Sequence, residues 1–259
     1  MNIKAGILYG IGVGPGDPDL ITIKAAKILN RVDIVFAAAS TKNNHSLAVN
    51  IAREHIPESA TVKMLSFPMT RDKIETRSAW EAHARTIIAE LEKGHNAAFL
   101  TLGDSMTYST YGYILKWVQT LAPHLEVQTV PGITSYQAAA ARLNTPLVEG
   151  EESLMVVSGA TGGNRLRELC AKPENVVFLK AYRNVPDIKA AIDETGKYPN
   201  CVSVKSCGQS NEEIIKDIGE LSQRKPDYWT LIISKQATNN GTEVRALKPL
   251  TPKKENPLR

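Results

Sequence analysis

Residues 97–110 read Ala97-Ala98-Phe99-Leu100-Thr101-Leu102-Gly103-Asp104-Ser105-Met106-Thr107-Tyr108-Ser109-Thr110. The apolar run Ala97 to Leu100 predicts a strand, Gly103-Asp104 a sharp turn, and Tyr111 to Leu121 an amphipathic helix. Strand, tight turn and helix in this order are the unit of an open α/β sheet, which binds ligands at the carboxyl ends of its strands. Asp104 stands at such an end with hydroxyl-bearing residues beside it. An acid there can accept hydrogen bonds from a ligand or take a proton; it can equally cap the next helix. Thr107, Tyr108, Ser109 and Thr110 carry the same two readings.

A similar turn lies on each side. Upstream, the predicted strand Gly6 to Gly10 runs into Ile11-Gly12-Val13-Gly14-Pro15-Gly16-Asp17, with Asp17 placed to cap a helix and Pro18 pre-set for its first turn. No register of these glycines gives G-x-G-x-x-G, because Pro15 or Asp17 falls where the last glycine is needed. The second strand, Asp33 to Phe36, ends in Ala37-Ala38-Ala39 and lacks the acid that would grip a ribose, so a nicotinamide oxidoreductase is disfavoured. What remains is a turn with little bulk, where backbone can approach a flat ligand. Downstream, Glu126 to Val130 is a strand running into Pro131-Gly132-Ile133-Thr134-Ser135, whose hydroxyls can bind a ligand or cap a helix.

Between these turns, helices are expected over Ile21 to Leu29, Ser46 to His55, and a long segment carrying Ile74, Trp80, Ile87, Ile88 and Leu91 that Gly94 stops. A strand is expected at Val62 to Phe67. The stretch 146–152 has Pro146, Gly150 and adjacent acids without periodicity, and separates lobes 1–145 and 153–259. After it, strands are expected at Leu154–Val157, Val176–Leu179, Val202–Lys205 and Thr230–Ser234. Helices are expected near Leu166–Ala171, Ile188–Thr195 and Glu212–Leu221. The prediction is two α/β lobes, many of whose apolar strands suit sheets covered on both faces.

A chain of 259 residues suffices for two modest cores. The net charge is only +4, part of it in the tail 245–259, which argues against a dedicated nucleic-acid surface. No apolar run approaches the roughly 18 residues of a membrane span. The few residues before the first strand are too short for a signal peptide. Cys170, Cys201 and Cys207 are odd in number and lack metal-ligand spacing, which fits a reducing, cytoplasmic setting. The five histidines are scattered, no metal site is expected, and there is no G-x-S-x-G elbow. Lys180-Ala181-Tyr182-Arg183 ends a strand, and can meet an anionic ligand or be a solvated strand end.

Gly10 to Pro18 followed by Leu20-Ile21-Thr22, the Gly103-Asp104 turn, and Pro131 to Ser135 resemble, in order, three signatures of the tetrapyrrole (corrin/porphyrin) methyltransferases. Within that family, Leu8 to Asp17, Phe67-Pro68-Met69-Thr70-Arg71-Asp72, and Thr101 to Asp104 with Tyr108 to Tyr111 resemble the branch that methylates C20 of precorrin-2 or cobalt-factor II. The resemblance implies a two-lobed α/β homodimer of cobalamin biosynthesis, with S-adenosylmethionine (SAM) in a cleft between lobes and a carboxylate-rich tetrapyrrole against it. By matching motif, Pro15, Leu102, Gly103, Asp104, Thr107, Thr134 and Ser135 would contact SAM. Lys180, Ala181, Gly208 and Thr230 would face its adenosine side. Asp104 would be the base for the C20 proton or the holder of the SAM ammonium group. Tyr108, Tyr111 and Tyr182 would pack on the macrocycle, and Arg71, Lys180 and Arg183 would meet its carboxylates. Ser105 stands where many relatives have proline. The alanines after the second strand replace an aspartate of relatives that methylate uroporphyrinogen. Rival readings are a methylase for another corrin carbon, for diphthine or for ribosomal RNA, and a non-catalytic SAM or tetrapyrrole binder.

Overall fold

The computed structural model describes residues 4–40, 46–68, 70, 72–224 and 227–237. They fall into two compact units, one within Met1–Ser135 and Ser206–Glu212, the other within Tyr136–Lys205 and Glu213–Arg259. The break at Ser135 precedes the stretch 146–152, and Ser206–Glu212 groups with the first unit.

In the first unit, β1 (Leu8–Gly12), β2 (Ile34–Ser40), β3 (Thr61–Phe67), β4 (Ala97–Thr101) and β5 (Val127–Val130) form a sheet in the order β3-β2-β4-β1-β5. Every pairing is parallel. β1 runs to Gly12, because Gly10, Ile11 and Gly12 continue the register with Phe99, Leu100 and Thr101. β2 does not stop at Phe36: Ala37, Ala38 and Ala39 pair with Met64, Leu65 and Ser66, so the alanines are strand residues.

Strand alternation sends successive side chains to opposite faces. On one face, α1 (Ile23–Leu29) and α2 (Leu47–Ala52) bury Ile28, Leu29 and Ile51 against Tyr9, Ile11, Val35 and Leu100. On the other, α3 (Lys73–Glu92) and α4 (Tyr111–Leu121) bury Ile87, Leu91, Ile114 and Val118 against Leu8, Phe36 and Phe99. The chain therefore leaves β1 towards one face and its neighbour β4 towards the other. That is a topological switch point, where an open sheet leaves a crevice.

Local signals set the helix ends. Asp17 caps a short 3-10 turn, Pro18–Leu20, rather than a helix, and Thr22 caps α1 by accepting from Ala25 N at 3.2 Å. Asp72 caps α3, accepting from Ile74 N and Glu75 N. Gly94, at φ +91°, turns the chain out of α3 towards β4. Ile74, in the first turn of α3, is exposed, and the buried face of that helix begins at Ala84.

In the second unit, β6 (Leu154–Ser158), β7 (Asn175–Leu179), β8 (Asn200–Lys205), β9 (Glu213–Ile215) and β10 (Thr230–Lys235) form a sheet in the order β6-β7-β10-β8-β9. Only β6 and β7 pair in parallel; β10 lies antiparallel between β7 and β8, and β9 is antiparallel to β8. α5 (Ser135–Leu143) precedes this sheet in sequence; α7 (Val185–Thr195) and α8 (Ile218–Ser222) pack on it through Ile188, Ile192, Ile218 and Leu221. The helix expected over 212–221 is instead β9 followed by α8. Ile214 and Ile215 find partners on β8, and Asp217 starts the helix afresh by accepting from Gly219 N at 2.7 Å. Likewise α6 is only Asn164–Arg167, and the Lys172 ammonium donates to the Leu166 and Arg167 carbonyls left open at its end. The tail beyond Gly241 lies outside the described residues. Among the described residues, no helix is long and apolar enough to cross a membrane.

Two polar groups test the packing. Glu90 is nearly buried and bonds to Lys63 at 2.9 Å, Lys93 at 3.1 Å and His95 at 3.0 Å. The Lys63 bond, then the other two, pull its carboxyl down to about 2. A depressed carboxyl stabilises the fold above its unfolded value, and that contribution disappears as pH falls through the folded one. Glu90→Gln should cost about 1–2 kcal/mol near neutrality, and thermal melts should show the gap from wild type closing between pH 4.5 and about 2. Ser203 is fully buried in β8 and its hydroxyl has no partner among the described residues. Ser203→Ala should therefore be neutral or stabilise by about 1 kcal/mol in denaturant titration; a large loss would reveal a bond that the hydroxyl makes.

Candidate functional site

Three turns follow the neighbouring strand ends of β4, β1 and β5, and glycine lets them meet. A Cβ on Gly12 would lie 2.6 Å from the Gly103 carbonyl oxygen and 2.7 Å from Gly132 N. A Cβ on Gly132 would lie 2.2 Å from the same oxygen. Real Cβ atoms do not approach backbone this closely, so both positions exclude a side chain. Beyond them, Gly14 and Gly103 pair as an antiparallel bridge, with Gly103 N donating to Gly14 O at 2.7 Å and Gly14 N to Gly103 O at 3.2 Å. Both have φ above +70°, a conformation that L side chains resist.

Asp104 fastens the junction. One carboxylate oxygen accepts from Met106 N at 2.9 Å and from the Thr107 hydroxyl at 3.0 Å, folding the turn on itself. The other accepts from Gly132 N at 3.0 Å, across to the turn after β5. The next residue repeats the link: the buried Ser105 hydroxyl donates to the Val130 carbonyl at 3.0 Å. The two bonds thus bracket Pro131. Asp104 does not cap α4; Ser109 supplies the side-chain bond there, accepting from Tyr111 N at 3.0 Å.

Pro15 is buried in the first turn, and Leu102 is half-buried against the core. Gly208 also belongs to this unit: a Cβ on Gly16 would lie 2.6 Å from the Cys207 carbonyl and 2.8 Å from the Gly208 carbonyl carbon. Gly208 N is itself held by the Glu212 carboxylate at 2.8 Å. Thr134 is buried, Ser135 opens α5, and Tyr108 is half exposed with a left-handed φ of +49°. Pro15, Leu102, Gly103, Asp104, Thr107 and Gly208 are thus assembled around three strand ends. What they offer is backbone, small side chains and hydroxyls.

Two expected substrate residues fare differently. Tyr111 is a core residue, fully buried with its ring over Gly10, where a Cβ would stand 2.0 Å from the ring carbon bearing the hydroxyl. Its hydroxyl bonds to Thr129 at 3.1 Å, and burial pushes the phenol up. No face is left for a macrocycle. The signal was present, because Tyr111, Ile114 and Val118 share the buried face of an amphipathic helix. Arg71 lies outside the described residues.

The second unit gathers the remaining candidates at one end of its sheet. Lys180 and Ala181 follow β7, and Thr230 opens β10; Ala181 N donates to Thr230 O at 2.9 Å. Ala181 and Thr230 are buried, so backbone is what they present. Tyr182 and the exposed Arg183 adjoin them, with the guanidinium 5.1 Å from the ring centre. Beside them stand Tyr228 and Trp229, which no motif had singled out. Among the described residues, no group of three or more His, Cys, Asp or Glu is placed to hold a metal ion.

Known proteins share this chain's pattern. It is 33% identical to the cobalt-precorrin-2 C(20)-methyltransferase of Salmonella typhimurium, over 89% of this chain and 97% of that protein. It is 28% identical to the precorrin-2 C(20)-methyltransferase of a Sinorhizobium species, over 89% of this chain and 96% of that protein. The uroporphyrin-III C-methyl transferase of Thermus thermophilus, solved as a complex with S-adenyl homocysteine, has a similar fold. Its TM-score is 0.65 at 21% identity, covering 89% of this chain and 92% of that one. The tetrapyrrole (corrin/porphyrin) methylase family matches residues 7–222, which include the three glycine turns, and the chain belongs to that family.

Proposed function

We propose that this chain transfers a methyl group from S-adenosylmethionine to C20 of precorrin-2 or cobalt-factor II in cobalamin biosynthesis. The observation that carries the reading is the junction of three signature turns at the carboxyl ends of β4, β1 and β5, with glycine at every close contact. Full-length likeness to C20 enzymes supplies the substrate. The assignment suits a homodimer of the cytoplasm, as the resemblance implies.

The small-residue junction fits a folded nucleoside donor, because backbone groups can approach it without side chains between. S-adenosylmethionine supplies an activated, electrophilic methyl group when bound. The protein's task is then to orient and to exclude water, and well-oriented reactants gain up to roughly 7–11 kcal/mol. Pro15, Leu102, Gly103, Thr107, Thr134, Ser135 and Gly208 would contact the donor. The family motif adds Lys180, Ala181 and Thr230 to the donor-binding residues. Tyr108, Tyr182, Arg71 and Arg183 would meet the tetrapyrrole.

Asp104 takes a changed role. Its oxygens already accept three hydrogen bonds from within the two turns. Three of its roughly four acceptor sites are thus spent on holding the turns together. We therefore read Asp104 as a positioning residue that sets the donor-binding turns, with the C20 proton passing to another acceptor.

Radiolabelled S-adenosylmethionine should label precorrin-2 or cobalt-factor II and not ribosomal RNA; donor binding without transfer to either tetrapyrrole would indicate a non-catalytic binder. Asp104→Ala should weaken donor binding at least ten-fold and abolish transfer, and Asp104→Asn should recover part of the binding by keeping one acceptor oxygen. Wild-type donor affinity in Asp104→Ala with transfer alone lost would restore the base. Arg71→Ala should raise the tetrapyrrole KM and leave donor affinity unchanged, by calorimetry.

A further inference from the structure

The Lys180 end of the second sheet holds more chemistry than donor binding requires. Lys180 has a left-handed φ of +58°, and its ammonium lies 5.6 Å from the centre of the Tyr228 ring. Tyr182 and Tyr228 meet edge to face at 5.3 Å, and Tyr228 meets Trp229 in the same way at 4.9 Å. Tyr228 is 37% exposed and Trp229 43%, both high for rings of that size.

This is a built surface. Asp227 folds the loop under the aromatic pair: its carboxylate accepts from Trp229 N at 2.9 Å and its carbonyl from Thr230 N at 3.2 Å. The same carboxylate lies 3.7 Å from the Lys205 ammonium, so its charge is already answered. Arg183, over Tyr182, makes no ion pair among the described residues. The Arg183 guanidinium, held against the Tyr182 ring, keeps outward N–H groups for an anion, and the rings keep apolar faces and edges for a conjugated ligand. A phosphate would have no use for three aromatic rings, and an uncharged apolar ligand none for the guanidinium.

We infer that Tyr182, Tyr228 and Trp229, with Lys180 and Arg183, form a subsite for a conjugated macrocycle rimmed by carboxylates. The subsite rests on the tetrapyrrole reading above and extends it to Tyr228 and Trp229. The rings contact the macrocycle, and the Arg183 guanidinium binds a peripheral carboxylate through paired N–H donors.

Uroporphyrin III is a stable probe, and Trp229 is the reporter. Titrating the full-length protein with uroporphyrin III should quench tryptophan fluorescence, and Trp229→Phe should remove most of that quenching. Arg183→Gln should weaken uroporphyrin binding about ten-fold, as expected for a lost charge-assisted pair. Trp229→Ala should weaken it several-fold. A tetracationic porphyrin should bind far more weakly than uroporphyrin. Arg183 and Trp229 are exposed, and melting curves would confirm that both variants fold. Wild-type affinity in both variants, equal binding of the cationic porphyrin, or no uroporphyrin binding at all would overturn the subsite even if C20 methylation proceeds. Conversely, charge-selective binding that depends on Arg183 and Trp229, with no methyl transfer to either tetrapyrrole, would keep the subsite and remove the proposed activity.

Discussion

The first unit depends on backbone touching backbone where β4, β1 and β5 end. The Gly103 carbonyl sits where a Cβ of Gly12 or Gly132 would have to be. A single methyl group at either position would force two strand ends apart, since the obstacle is peptide and not a flexible side chain. Everything near the crevice inherits this spacing. Asp104 reaches Gly132 N, and Ser105 reaches the Val130 carbonyl, because the turns already lie in contact. The glycines of the opening motif thus divide their work. Gly10 makes room for the Tyr111 ring, Gly12 and Gly14 for the neighbouring turns, and Gly16 for the segment carrying Gly208.

This division explains what was legible in the sequence. Strand positions and helix faces follow from apolar periodicity, and α4 spans Tyr111–Leu121 as its pattern predicts, because its neighbours only reinforce that pattern. The second unit was harder. Glu212 to Leu221 spaces its isoleucines as a helix would, and only pairing with β8, a non-local contact, makes Glu213–Ile215 a strand. β2 outruns the apolar pattern Asp33 to Phe36, since alanine gives little strand signal of its own. Its pairing with β3 carries it through Ala37, Ala38 and Ala39 to Ser40.

The candidate site was legible in its motifs and less so in its bonds. Three glycine turns could be found by composition alone. That the acid of one binds the backbone of another, 28 residues away, could not, because a cap and a clamp use the same residue type. Tyr111 adjoins the turn in sequence, but its helical phase places it in the core with Ile114 and Val118. Tyr228 and Trp229 carried no motif; they stand out only when the loops after β7 and before β10 are seen joined through Ala181 and Thr230. Side chains that matter through their own periodicity are readable, whereas those that matter through a distant partner are not.

Ser105 shows how one substitution can relocate a constraint. A proline after Gly103-Asp104 would stiffen the turn from within, by fixing its own φ. Serine leaves that dihedral free and instead buries a hydroxyl that donates to the Val130 carbonyl. The stiffness of the Gly103-Asp104 turn then no longer belongs to the turn alone. It is shared with the end of β5, and with Asp104 it fixes both flanks of Pro131. A perturbation of Pro131 to Ser135 should therefore be felt at Gly103 in this chain more strongly than in a relative with proline, whose turn would hold its shape unaided. The cost of a buried, unpaired hydroxyl, about 1–3 kcal/mol, is what keeps the two turns in step.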